Sequence, residues 1–279
     1  MKKQIASYFI IGTLLLSLTG CSNTADIEKL KEKNTKELEF LDSKIINIAN
    51  KLNNIKLQKY VLTKEKNEKI TEKTSTGEGN NEEEQEDTSK EDIYTTKLNP
   101  NTVLEGNTTD IDWEYIKTNV EFMYSTCNVI ILDLYELNVN NELILQLNQI
   151  FDQLIISAKN ENKTECLRNL VDLYSLIPKY MENYIPQNPE VYIKYTKSNL
   201  LKAYYFAEIE NWTEASNSLA IAEQTFANII NNIEFNQNRD SRVNKVYISL
   251  KELQNSMQKQ DKEIFLIKYK VVVEELTEL

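Results

Sequence analysis

The sequence predicts an all-α protein, and three observations carry that expectation. No glycine occurs after Gly106 in a chain of 279 residues, so the left-handed turn residues that β-hairpins favour are missing from its larger part. Apolar residues recur there at helical three- and four-residue spacing. Asp112, Asn162, Asn211 and Asp261, all good helix N-caps, stand 50, 49 and 50 residues apart. The expected architecture is a long N-terminal heptad helix, a disordered acidic linker, and αα-hairpin repeats with a period of about 50 residues forming a bundle or short solenoid.

The first segment is a leader. Lys2 and Lys3 precede an uncharged, mostly apolar run from Ile5 to Leu18, the charge and length of a secretory signal. It is short for a membrane span, and Ser22-Asn23-Thr24 begins a polar stretch. Residues 24 to 72 then read as one helix. Leu38, Leu41, Ile45, Ile48, Leu52, Ile55 and Leu62 follow heptad spacing with Lys59 in a polar slot. The seam has two possible partners: a second copy, or the uncapped first face of the C-terminal domain around Ile116, Val120 and Met123. Docking on that face is the favoured expectation.

Residues 73 to 109 read as a spacer. Glu82-Glu83-Glu84-Gln85-Glu86-Asp87 sits in dense charge with few apolar residues, so the segment cannot bury enough surface to order itself. Residues 110 to 279 form the hairpin domain. Glu165 and Glu214 lie three residues after their caps, as in a capping box. The columns Ile116, Cys166, Ala215, Phe265; Val120, Leu170, Leu219, Tyr269; and Cys127, Ile177, Phe226, Leu276 fall on one helical face. Before each of the last three caps a second pattern repeats: Leu147, Phe151, Leu154, Ala158, then Thr196, Leu200, Ala203, Ala207, then Val246, Leu250, Leu253, Met257. Short turns between the two patterns make the helices antiparallel neighbours.

Composition excludes several chemistries. The sequence has no histidine, which removes the commonest general base and zinc ligand. Phosphate-cradling glycine loops have no material after Gly106. The formal charge is −11, and −13 once Lys2 and Lys3 leave with the leader, which leaves no electrostatic footprint for nucleic acid. The sequence therefore implies no enzyme and no cofactor. Cys127 and Cys166 fall in apolar columns and read as buried thiols rather than a disulfide. Tyr174, Tyr180, Tyr184, Tyr192 and Tyr195 crowd one hairpin junction. They read either as interface tyrosines with wet hydroxyls or as an aromatic ligand groove.

Leu18-Thr19-Gly20-Cys21 closes the apolar run and resembles the lipobox of bacterial lipoproteins. That resemblance implies cleavage before Cys21, a diacylglyceryl group on its sulfur, and an extracytoplasmic protein lipid-anchored to the cell membrane. Two acyl chains suffice for durable attachment. The hairpins loosely resemble tetratricopeptide-type repeats without keeping that signature. Asp112-Trp113, the segment from Leu173 to Pro178 and Lys268-Tyr269-Lys270 resemble helical lipoproteins of low-GC Gram-positive bacteria, a likeness that brings no known activity. The leading expectation is an interaction scaffold or adaptor at the cell surface. The alternative is a solute-, peptide- or glycan-binding lipoprotein using the tyrosine-rich region.

Overall fold

A computed structural model describes residues 20–55, 62–64, 94–96, 110–232 and 240–279, and their fold is helical. The leader and most of the acidic spacer lie outside the described residues. Helix α1 runs from Gly20 to Lys51, so Cys21 lies in its first turn.

The expected helix over residues 24 to 72 ends early. Asn54 is left-handed, with φ 53°; Ile55 N–H donates to the Asn50 carbonyl (2.9 Å) and Asn54 N–H to that of Lys51 (3.2 Å). This is a Schellman stop with asparagine at the left-handed position, where its short polar side chain lowers the steric cost. The heptad spacing runs across Asn53-Asn54, but the local backbone preference wins. Leu62, the expected last seam residue, instead opens strand β1 (Leu62–Lys64), which pairs antiparallel with β2 (Tyr94–Thr96) in the register Leu62 with Thr96. Residues 94 to 96 thus depart from the expected disordered linker, because Tyr94-Thr95-Thr96 are good strand formers. This small pair belongs to a separate compact unit, Gln58–Asn101.

The remaining helices are α2 (Trp113–Glu136), α3 (Asn141–Lys159), α4 (Lys163–Tyr174), α5 (Leu176–Tyr184), α6 (Pro189–Glu208), α7 (Trp212–Ile230), α8 (Asp240–Ser256) and α9 (Lys262–Thr277). All four anticipated caps are N-caps. Asp112, Asn162, Asn211 and Asp261 accept from the backbone N–H of Tyr115, Glu165, Glu214 and Ile264. Each of the last three follows a left-handed residue, Glu161, Glu210 and Gln260. In the first two, one left-handed residue closes the preceding helix by a Schellman pair and the next residue opens the following one. That is how turns this short are built without glycine. The helix expected after Asn162 is interrupted at Ser175. Pro178 has no N–H to give the Tyr174 carbonyl, so α4 ends and α5 restarts.

Every residue of the three capped columns and of the second pattern is buried. Successive helices pair as α2 with α3, α3 with α4, α6 with α7 and α8 with α9. Helix α1 belongs to the same compact unit as the helices after residue 110, so residues 21–55 are not a domain apart from 110–279. It packs on α2, α4 and α5. Its contacts with α2 run from Lys33–Asp133 through Lys44–Asn119 to Asn47–Tyr115, so the two helices are antiparallel. The seam from Leu38 to Ile55 joins one core with Ile116, Val120 and Met123, as the docking expectation requires. One end of the bundle holds the start of α1 and the end of α2; the opposite end holds the start of α2 and the end of α3.

Candidate functional site

The tyrosine cluster is interior at three of its five positions. Tyr174, Tyr180 and Tyr184 are buried, and each hydroxyl is used inside the fold. Tyr174 donates to Asp42 Oδ1 (2.9 Å), Tyr180 donates to the Leu143 carbonyl (2.8 Å), and Tyr184 pairs with Thr35 Oγ1 (3.3 Å). Tyr195 donates to Glu182, while Tyr192 is half-buried against the core. Burial pushes the Tyr174 hydroxyl well above its usual range, with the Asp42 charge adding to it. The five residues expected as a candidate groove therefore do not share an open surface. They brace α1 and the α5–α6 junction.

The bracing has a charged centre that the sequence did not announce. Asp42 is buried on α1, and its Oδ2 accepts from Lys194 Nζ (2.6 Å) and Lys197 Nζ (3.2 Å), one turn apart on α6. Burial works to raise the Asp42 pKa, but Lys197 and Lys194 outweigh it and hold the carboxyl below its usual value. Two ammonium groups thus share one carboxylate in a dry interior. A second cluster fastens the end of α1. Asn53 Nδ2 donates to the Tyr204 hydroxyl and to Glu208 Oε2 (2.8 Å), and Lys163 Nζ donates to Asn53 Oδ1 (2.6 Å). Lys163 and Lys262 both pair with Glu208 (2.7 and 2.8 Å). Burial raises the Glu208 pKa, but hydrogen bonds from these lysines outweigh it and lower the carboxyl. Both clusters are structural: their carboxylates are paired with lysines inside the fold.

Cys127 and Cys166 are free and buried, and burial pushes each thiol up to about 12. They are inert as nucleophiles at neutral pH. Among the described residues no group of three or more cysteine, aspartate and glutamate side chains could hold a metal ion, and no helix is long and apolar enough to cross a membrane. The side chain of Cys21 lies outside the described residues.

One concave feature among the described residues is a groove between α2 and α3, with a volume of about 330 Å³. Buried Val120 and Ala158 form its floor, and Tyr124 and Ile155 its walls. The ring of Tyr124 stands edge-on to Phe151, with centroids 5.9 Å apart, which fixes that wall. The opening exists because Ala158 is small where an aliphatic would fill the gap. Lys117, Glu121 and Lys159 stand at the rim, and Lys117 is tied to Glu161 (2.6 Å). Just outside, Ile156 is 50% exposed. This is an apolar slot with a charged edge, suited to one or two apolar side chains of a partner. Sequence reasoning missed it, although Ile155-Ile156 on an outer face was its trace.

No protein-family model matches the chain, and neither the curated proteins nor the solved structures contain a match.

Proposed function

We propose that this chain is a lipid-anchored extracytoplasmic scaffold that holds a protein partner in the α2–α3 groove. The observation that carries the reading is the groove itself: an apolar slot with a fixed aromatic wall, flanked by the exposed Ile156, at the end of the bundle opposite the start of α1. Solvent-facing aliphatics around a preformed slot have the composition of an interaction site. The anchoring half of the proposal rests on Leu18-Thr19-Gly20-Cys21 at the close of the apolar run. The binding reading is favoured over a catalytic one because the sequence has no histidine and the buried carboxylates Asp42 and Glu208 are consumed by lysines. The glycan- or solute-binding alternative loses support, because Tyr174, Tyr180 and Tyr184 are spent inside the core and only Tyr192 and Tyr195 reach the surface in part.

Two experiments test this. A photo-crosslinking residue at Ile156 in living cells should give a defined protein adduct that the same residue at Lys202 does not. Adducts of equal yield at both positions refute the groove. Cys21→Ala should abolish incorporation of labelled palmitate; retained label refutes the anchor.

A further inference from the structure

The opposite end of the bundle carries a second apolar surface. Toward the close of α2, Val129, Leu132 and Tyr135 follow one another at three-residue steps and are all exposed, Leu132 at 65%. At the same end of the bundle, α1 contributes the exposed Ile27 and the half-buried Leu30. An open groove of about 520 Å³ lies between the two helices, lined by Asp26, Ile27, Lys29, Leu30, Lys33 and Glu136. Lys33 is held across it to Asp133 (2.7 Å), and Lys31 to Glu28 (2.8 Å). Charges of both signs alternate there, so the patch has no strong field of either sign.

The position of the patch along the chain names its occupant. Helix α1 is unbroken from Gly20 through Leu30, and the apolar run Ile5–Leu18 stands immediately before it. At 1.5 Å per residue, Leu30 lies within about 15 Å of Gly20 along the helix, and the level of Lys33 and Leu132 within about 20 Å. Whether the membrane attachment is the Cys21 lipid or the apolar run itself, this patch is the part of the bundle nearest the bilayer. A tilt of α1 brings it onto the surface. Aliphatics with a tyrosine are what the headgroup boundary accepts, and Lys29 and Lys33 can lay their methylene stems along it while their ammonium groups stay wet.

We infer that Ile27, Leu30, Val129, Leu132 and Tyr135 seat the bundle on the lipid surface beside its anchor, turning the α2–α3 groove toward the outside. The inference rests on the anchored reading above. The seat works by insertion of apolar side chains, so it takes uncharged zwitterionic lipid and is indifferent to salt.

The test uses the full lipidated chain in phosphatidylcholine vesicles, with a fluorophore on Leu132→Cys or, in a second protein, on Ile156→Cys. Both positions are exposed, so labelling leaves the core intact, and the buried native thiols do not compete. Replacing the lipid by one brominated in its acyl chains should extinguish emission from position 132 and spare position 156. The loss should persist in high salt. Equal emission at both positions, in protein that still floats with the vesicles, overturns the seat and leaves the anchor standing. Failure to float overturns both. Loss of emission at 132 that depends on protein concentration rather than on brominated lipid assigns the patch to a second copy and also overturns the seat.

Discussion

Removing the carboxylate at Asp42 is the perturbation with the largest expected effect on the fold. It is the partner of both Lys194 and Lys197, all three being buried. Asp42→Ala leaves two ammonium groups in a dry interior and takes the acceptor from Tyr174. Breaking a buried pair from one side costs about 3 to 5 kcal/mol, and here two cations are stranded, so the upper part of that range is expected. For a helical unit of this size, about 2 to 4 °C accompanies each kcal/mol, so the melting temperature should fall by about 8 to 20 °C. Hydrogen exchange in α1 should accelerate most, because that helix loses its central fastening. Replacing all three groups with apolar residues of similar volume, Asp42→Leu with Lys194→Met and Lys197→Met, should recover most of the loss, since the desolvation cost leaves with the charges. The folded pKa of Asp42 lies below its ordinary 3.8. Its contribution is therefore complete above about pH 4 and disappears as the pH falls through the lower folded value. Thermal melts of the single and triple variants at pH 7 and pH 3 supply the measurement. If Asp42→Ala melts within 2 °C of the parent, or if the triple variant is no better than the single one, the argument from stranded charge is wrong.

Three further outcomes are expected. Glu210 is left-handed with φ 59°, so Glu210→Gly should stabilise by about 0.5 to 1 kcal/mol in denaturant titrations, relief of strain exceeding the added freedom of the unfolded chain. Asn162→Ala should cost about 1 kcal/mol by the same titration, because Glu165 N–H loses its acceptor. Cys127 and Cys166 should resist a thiol reagent at pH 7.5 and react fully in denaturant; rapid labelling of the folded chain contradicts their burial.

The helical class, the four caps and the buried columns were legible because each depends on residues within a turn or two of one another. The stop at Asn54 was equally local, yet the heptad spacing of Leu52, Ile55 and Leu62 masked it. Periodicity reports which face a residue shares if the helix continues, not whether it does. The strand pair was harder to read, since Tyr94-Thr95-Thr96 sits next to an acidic run that fits a disordered spacer equally well. The tyrosines between 174 and 195 were visible as a cluster, but whether a tyrosine hydroxyl meets water or a buried carboxylate is set by what packs over it.

By itself, the sequence determined the helical class, the four repeat caps, the glycine-free turns and the seam of α1 from Leu38 to Ile55. Those follow from backbone preference and from the direct cost of leaving aliphatics in water, which act over short stretches of chain. Only the tertiary structure decided that the seam closes on α2, α4 and α5. It also brought Asp42 within reach of lysines some 150 residues away, and Ala158 opposite Val120 to leave a groove. Contacts of that range depend on how whole helices lie against one another, and no local pattern of residues encodes the distance between two side chains on different helices.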